Sequence, residues 1–282
     1  MQDLVNLPLV GKDAFLVFTK MVRDAVGLAL EENKEYLLDS RLSPISKAKG
    51  YESYAKLIEH LNVTAIGPLH WEVFEALLTN ETMFFRDEHF FIGLRELVIP
   101  KLIQKNKLQK TLNIWCTAVS SGQEAYSLAI LLKEHFPQLH DWNVQIQASD
   151  VCKNMITKAK AGEYNAVEIH RGLAPNLIEK YFHLNEGGQY VADQSLKNII
   201  HFFNINLIGD LYTIRNFDLI LIRNVLIYFL ADTKSSVLKK IRAKLSDNES
   251  FLILGAAESL IGDPSFIHHR HGKFSFFTKN GL

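Results

Sequence analysis

Four polar residues stand where apolar runs of strand length give way to turns: Asp150 after VQIQAS, Asn206 after HFFNI, Asn224 after FDLILIR, and Glu124 just past LNIWCTAVSSGQ. A carboxylate at a strand tip suits the paired hydroxyls of a ribose. Asp150 equally suits the N-cap of the helix expected from Cys152. The turn Thr117–Glu124 is made of small residues, which let backbone approach a ligand closely. Its single glycine, Gly122, leaves it short of the GxGxxG dinucleotide fingerprint. A nucleoside without a pyrophosphate is the better match, beside the plain reading of a strand-to-helix turn. Asn224 stands at the strand edge that faces the reacting groups in many α/β enzymes, with Arg223 pointing the other way, and Asn206 reaches the same crevice. Turn or cap roles account for both asparagines as well.

A second group is the stretch Asn80-Glu81-Thr82-Met83-Phe84-Phe85-Arg86-Asp87. Arg86 can hold a carboxylate bidentately. The simpler reading is a linker with buried aromatics and Arg86 on the surface. Other clusters carry less. His268-His269-Arg270-His271 has no acidic or cysteine partner nearby, so an exposed hairpin turn is expected there and no metal site. Cys116 and Cys152 are too few for a disulfide framework and read as small core residues. Trp71, Trp115 and Trp142 read as packing residues.

The elements that must position these groups fall into two textures. Residues 1–80 show helical apolar spacing: Phe15, Phe18, Met21, Val22, Ala25 and Leu28, then Tyr36–Leu38, Ser53–Leu61 and His70–Leu78. Pro44, Gly50, Gly67 and Pro68 punctuate them. From Thr111 apolar strands alternate with helices: strands at Leu112–Ala118, Val144–Ser149, Phe217–Ile222 and Phe251–Gly255, and helices at Glu124–Phe136, Cys152–Ala161 and Thr233–Leu245. Near-continuous apolar strands separated by helices imply a parallel sheet covered on both faces. Gln189–Asn204 lacks a crossover helix and reads as a small antiparallel insert, assigned to residues 187–204. Phe266–Thr278 reads as a closing hairpin.

Bulk properties exclude several classes. The 31 Lys+Arg balance 31 Asp+Glu, so no bulk positive field drives nucleic-acid binding. No apolar stretch is long enough to span a bilayer, and Met1–Lys12 lacks the pattern of an export signal. A cytoplasmic protein without membrane insertion is expected, and a monomer.

Taken together and in order, NETMFFRD, WCTAVSSGQEAYSLA, ASDVCKNMITKAKAGEYN, FDLILIRNVLIYF and LGAAESL resemble the signature segments of the CheR family, the chemotaxis receptor glutamate methyltransferases. The likeness covers most of the chain. It implies an all-α domain at 1–80 that docks receptors, followed by a Rossmann-like class I S-adenosylmethionine methyltransferase domain at 81–282 carrying the antiparallel insert. It further implies that Asn80, Thr82 and Arg86 line the cofactor cleft with Gly122, that Glu124 binds the methionine part, and that Asp150 binds the ribose. Asn206 and Leu207 would border the adenine, Asn224 would sit near the transferable methyl, and Tyr228 would follow one turn on. Arg86, Asn224 and Tyr228 are the candidate catalytic residues. Ala118-Val119, Ile222 and Asp247–Ser250 depart from the family's usual residues; none removes a polar group assigned to the cofactor, whose product is S-adenosylhomocysteine.

The implied acceptor is a glutamate on the cytoplasmic helical region of a chemoreceptor. Arg41, Lys47, Lys49 and Lys56, with Glu52 the one acid among them, form a basic stripe suited to an acidic helix; a solvated helix face accounts for it equally. The β insert binds a receptor tail by strand addition in some family members. Two alternatives stand beside receptor methylation: a methyltransferase for another protein or a small molecule, and a non-catalytic cofactor-responsive scaffold.

Overall fold

The computed structural model describes residues 10–30 and 35–280, so most of the Met1–Lys12 segment lies outside the described residues. The chain forms two units. One holds the described residues through Thr79 together with Tyr228–Thr233, and the other holds Asn80–Ile227 and Lys234 onward.

The first unit is helical. In α1 (Lys12–Val26) the buried residues Phe15, Phe18, Val22 and Val26 recur at three- and four-residue spacing and form one apolar stripe. Gly27 ends the helix at φ 80°, and its N–H returns to the Arg23 carbonyl. α2 (Glu35–Ala48) runs straight through Pro44, against the break expected from sequence. Proline there removes one backbone donor, but Leu38, Leu42 and Ser46 are buried along this helix and hold it by packing. α3 (Tyr54–Val63) is capped by the Ser53 hydroxyl, which accepts from the Lys56 N–H, and it buries Leu57, Ile58 and Leu61 completely. α4 (Pro68–Leu77) opens on a proline whose fixed φ suits a first turn.

The second unit begins with a stretch that sequence periodicity did not single out: α5 (Glu88–Gly93), a π-helical turn at Leu94–Val98, and α6 (Ile99–Lys105). Gly93 is required here because a Cβ would lie 2.3 Å from the Phe274 ring. The alternation follows with β1 (Thr111–Thr117), α7 (Gln123–His135), β2 (Asn143–Asp150) and α8 (Lys153–Ala161). Next come β3 (Glu163–Tyr164), α9 (Ala166–His170), α10 (Pro175–Tyr181), β4 (Phe182–Leu184), β5 (Tyr190–Ala192) and α11 (Gln194–Lys197). The chain then runs through β6 (Ile200–Asn204), β7 (Leu219–Ile222), α12 (Ala231–Lys244), β8 (Phe251–Leu254), β9 (Phe266–His271) and β10 (Phe274–Lys279).

Seven strands make one sheet in the order β6-β2-β1-β7-β8-β10-β9. The first five are parallel, and β10 and β9 close the edge antiparallel. Every residue of β7 and β8 is buried, as expected for central strands covered on both faces. The chain moves outward from β1 to β2 and β6, then returns to place β7 on the other side of β1. That reversal is a topological switch point, and its carboxyl edge is where open α/β sheets bind ligands.

Two expectations are corrected. The antiparallel insert is the separate sheet β3-β5-β4, so it starts at Glu163 instead of residue 187. Ile200–Asn204 belongs to the main sheet, paired parallel with β2 from Ile146↔Ile200 to Asp150↔Asn204. The missing crossover helix is α8: the insert interrupts the crossover after its helix, so the strand seemed to lack one. The histidine run also lies in strand β9, outside the hairpin turn. There His269 stacks on Phe276 at 4.9 Å and bonds the Thr278 hydroxyl.

Candidate active site

The carboxyl edge at the switch point is organised around Asp150. Its Oδ2 accepts from the Ser120 N–H at 2.7 Å and its Oδ1 from the Cys152 N–H at 2.9 Å. One carboxylate therefore fixes the turn after β1 and the start of α8. Asn204 at the end of β6 joins it, its amide donating to the carbonyls of Asp150 and Val151 at 2.8 Å each. The turn from Ala118 to Gly122 is compact because three of its residues adopt left-handed conformations: Ala118 and Ser120 at φ 51° and Gly122 at φ 94°. A Cβ on Gly122 would also sit 3.0 Å from that of Ala159.

The segment Asn80–Asp87 lies across this turn as a strap. The Ser120 hydroxyl donates to the Asn80 carbonyl at 2.6 Å, and the Phe85 N–H donates to the Ser127 hydroxyl at 2.9 Å. Arg86 is half-buried and its guanidinium reaches the Glu81 carbonyl at 3.1 Å. Arg171 pairs with Glu81 at 2.6 Å and draws its carboxyl below the ordinary range. Phe84 is fully buried, edge-on to Tyr164 of β3 at 5.0 Å and Phe182 of β4 at 5.6 Å, so the insert forms the seat of the strap.

Gly172 makes that seat possible. It holds φ 102°, and a Cβ there would lie 1.9 Å from the Phe84 carbonyl oxygen. Gly172→Ala is expected to cost about 2–4 kcal/mol from backbone strain and overpacking. Thermal unfolding followed by circular dichroism should show a midpoint lower by roughly 5–15 °C; an unchanged midpoint would mean the strap is not held there.

Arg223 does not point away, as sequence suggested. Its side chain is 3% exposed and pairs with Glu124 at 2.6 Å and with Asp87 at 3.3 Å. It also donates to the Arg86 carbonyl at 3.3 Å, and its guanidinium lies 3.8 Å over the Phe90 ring. Strap, α7 and the tip of β7 thus meet on one buried cation. Behind it, burial pushes the Cys116 thiol well above its ordinary range, with Glu124 adding to the effect, which leaves the thiol protonated and inert.

The remaining candidates fall in different places. Asn224 follows β7 at φ 57°, half-buried. Thr82 is half-buried in the strap. Asn206 lies in the turn after β6, where its Oδ1 accepts from the Ile208 N–H, and Leu207 beside it is buried. Tyr228 belongs with the first unit, where its carbonyl accepts from the Ala29 N–H at 3.0 Å. The basic stripe is not a row of free cations. Arg41 turns inward to the Leu77 carbonyl, Lys49 pairs with Glu72 at 2.8 Å and Lys56 with Glu59 at 2.7 Å, while Lys47 is exposed. Ser127, Gly172 and Asn204 carry the geometry without having been singled out, whereas Asp87 and Ser120 lie in the stretch and the small-residue turn that the sequence marked, without a role of their own.

Three carboxylates, Asp87, Glu124 and Asp150, stand at this edge, the first two paired with Arg223, and the turn has none of the glycine-rich cradle that a pyrophosphate would need. Comparison with known families agrees. Residues 80–274 match the CheR methyltransferase, SAM binding domain, and residues 13–79 match the CheR methyltransferase, all-alpha domain. The chain belongs to the CheR methyltransferase family. Among its relatives, chemotaxis protein methyltransferase 1 of Pseudomonas aeruginosa is 37% identical over 87% of this chain and 90% of its own length. Chemotaxis protein methyltransferase Cher2 of Pseudomonas putida is 35% identical over 90% of this chain and 93% of its own. The border between the two CheR domains coincides with that between the two structural units, at Thr79 and Asn80. CheR membership makes the chain an S-adenosylmethionine-dependent methyltransferase of class I, Rossmann-like fold. Among the described residues no helix is long and apolar enough to cross a membrane.

Proposed function

We propose that this chain esterifies glutamate side chains on the cytoplasmic helical region of chemoreceptors. The observation that carries the choice of acceptor is the makeup of the site. Asn80, Thr82, Arg86, Gly122, Glu124, Asp150, Asn206, Leu207 and Asn224 include no histidine or lysine to act as a base, and the nearby thiol of Cys116 is held protonated. An amine or alcohol acceptor must shed a proton, whereas a carboxylate with a reference pKa of about 4.3 is already ionised at neutral pH. Bound at this edge, S-adenosylmethionine supplies an electrophilic methyl on a cationic sulfur, which an ionised carboxylate accepts without proton transfer.

The protein's part is binding and alignment. Asp150 takes the ribose hydroxyls, Asn206 and Leu207 border the adenine, and Glu124 faces the methionine part while holding Arg223. Asn224 lies beside the reacting groups, and Arg86 holds a carboxylate in its fork. The relatives named as chemotaxis protein methyltransferases support a receptor as the acceptor. On the helical domain Lys47 is the one exposed cation of the stripe without a described pairing, so docking through α2 depends on it first.

The test uses methyl-labelled cofactor and a receptor cytoplasmic fragment. Label that enters the fragment and is released as methanol by mild base is the expected result. Base-stable label would instead point to an amine or amide acceptor, and this reading would fail.

A further inference from the structure

Asn224 is held in an unusual way. β7 ends at Ile222, and the next residues turn sharply with Asn224 in the left-handed region at φ 57°. Three successive backbone N–H groups, those of Asn224, Val225 and Leu226, are thereby freed from the sheet. All three are taken up by one side chain. Glu258 Oε2 accepts from Asn224 at 2.8 Å, and Oε1 accepts from Val225 at 3.0 Å and Leu226 at 2.7 Å. A fourth donor, the Gly255 N–H after β8, reaches Oε2 at 2.8 Å. Two oxygens thus serve four donors, the full capacity of a carboxylate. Bonds to an ionised acceptor are roughly twice as strong as neutral ones.

The clamp is built on both sides. The Glu258 N–H returns to the Gly255 carbonyl at 2.9 Å, closing a turn that aims the side chain back at the β7 tip. Position 255 is glycine for reasons of space, since a Cβ would lie 2.7 Å from Glu258 Oε2 and 2.9 Å from the Asn224 nitrogen. The tips of β7 and β8 are therefore joined by a carboxylate where the backbone ladder has ended. The direction of the Asn224 side chain follows from the backbone that this carboxylate fixes.

We propose that Glu258 is a positioning residue for methyl transfer, acting through Asn224. This rests on the reading that Asn224 faces the reacting groups. Glu258→Gln keeps the volume but turns an NH2 toward donors, so it breaks the clamp on one side. Gly255→Ala disturbs the same clamp without touching its charge.

The experiment measures kcat and KM for receptor methylation, with S-adenosylhomocysteine affinity by calorimetry, in Glu258→Gln, Gly255→Ala, Asn224→Ala and the double variant Glu258→Gln/Asn224→Ala. Thermal unfolding accompanies each. A misaligned reacting group costs up to about 100-fold in rate. The expected result is a kcat lowered roughly 10- to 100-fold in Glu258→Gln and Gly255→Ala at a near-constant receptor KM. The double variant should be no slower than Asn224→Ala alone, because the two changes remove one function. Losses that multiply in the double variant, or a full kcat in a folded Glu258→Gln beside an impaired Asn224→Ala, overturn the positioning role alone. Unaltered turnover and cofactor affinity in Asn224→Ala overturn the assignment of Asn224, and the role of Glu258 with it.

Discussion

Asp150→Ala is expected to weaken S-adenosylhomocysteine binding by roughly 100-fold or more, since hydrogen bonds to a charged group are worth about 1.5–3 kcal/mol each. The carboxylate is 7% exposed and does two things at once. Its backbone bonds to Ser120 and Cys152 shape the turn and the start of α8, and in the proposed function it also receives the ribose hydroxyls. Alanine removes both functions and leaves two N–H groups to find new partners. Asp150→Asn retains one acceptor oxygen and should fall between alanine and wild type. Calorimetry with purified protein decides the matter. An alanine variant that binds within threefold of wild type would show that the cofactor's hydroxyls lie elsewhere, and the placement of the cofactor at the β2 tip would be wrong.

Glu124→Ala should cost about 3–5 kcal/mol of stability, the usual penalty for breaking a buried ion pair from one side. Arg223 is 3% exposed and Glu124 14% exposed, so solvent screens the pair weakly. Asp87 at 3.3 Å and the face of Phe90 remain, but neither replaces the 2.6 Å contact that is lost. Denaturant unfolding measures the change. The double change Glu124→Leu/Arg223→Met should recover part of the loss, because an apolar pair no longer has to be desolvated as ions. It should not recover cofactor binding, and that separation of stability from binding distinguishes a residue that faces the methionine part from one that serves Arg223 alone. A Glu124→Ala variant within 1 kcal/mol of wild type would mean the pair contributes little.

The strands were readable because a parallel sheet buries both faces, so β7 and β8 appear as unbroken apolar runs that few other elements produce. Their tips were readable because Asp150 and Asn224 stand where VQIQAS and FDLILIR give way to turns, and the edge of the sheet is where such polar residues must emerge. What escaped was set by contacts distant in sequence. Nothing local in FDLILIR reveals that Arg223 turns inward, because its partners Asp87 and Glu124 come from elsewhere in the chain. The insert was misplaced because strand formers at Ile200–Asn204 read alike in either sheet, and only pairing with β2 assigns them. Pro44 looked like a break since its local effect is unfavourable, and burial of Leu38 and Leu42 outweighs it. Phe84 read as linker packing, and it does pack. Its seat on Tyr164 and Phe182 lies inside an insert whose extent the sequence did not show.

Among the described residues, six that are not glycine hold positive φ, and five of them, Phe85, Asp87, Ala118, Ser120 and Asn224, lie in the strap, the turn after β1 and the tip of β7. Left-handed backbone at such residues is maintained only when neighbouring structure over-determines it. For a lineage under pressure to withstand heat, these are the positions where relaxation to glycine or to ordinary backbone is most readily rewarded. They are also where relaxation would blur the edge that aligns cofactor and acceptor. Stabilising substitutions at these five positions are therefore expected to cost turnover, whereas those on the outer strands β9 and β10 are expected to leave it unchanged.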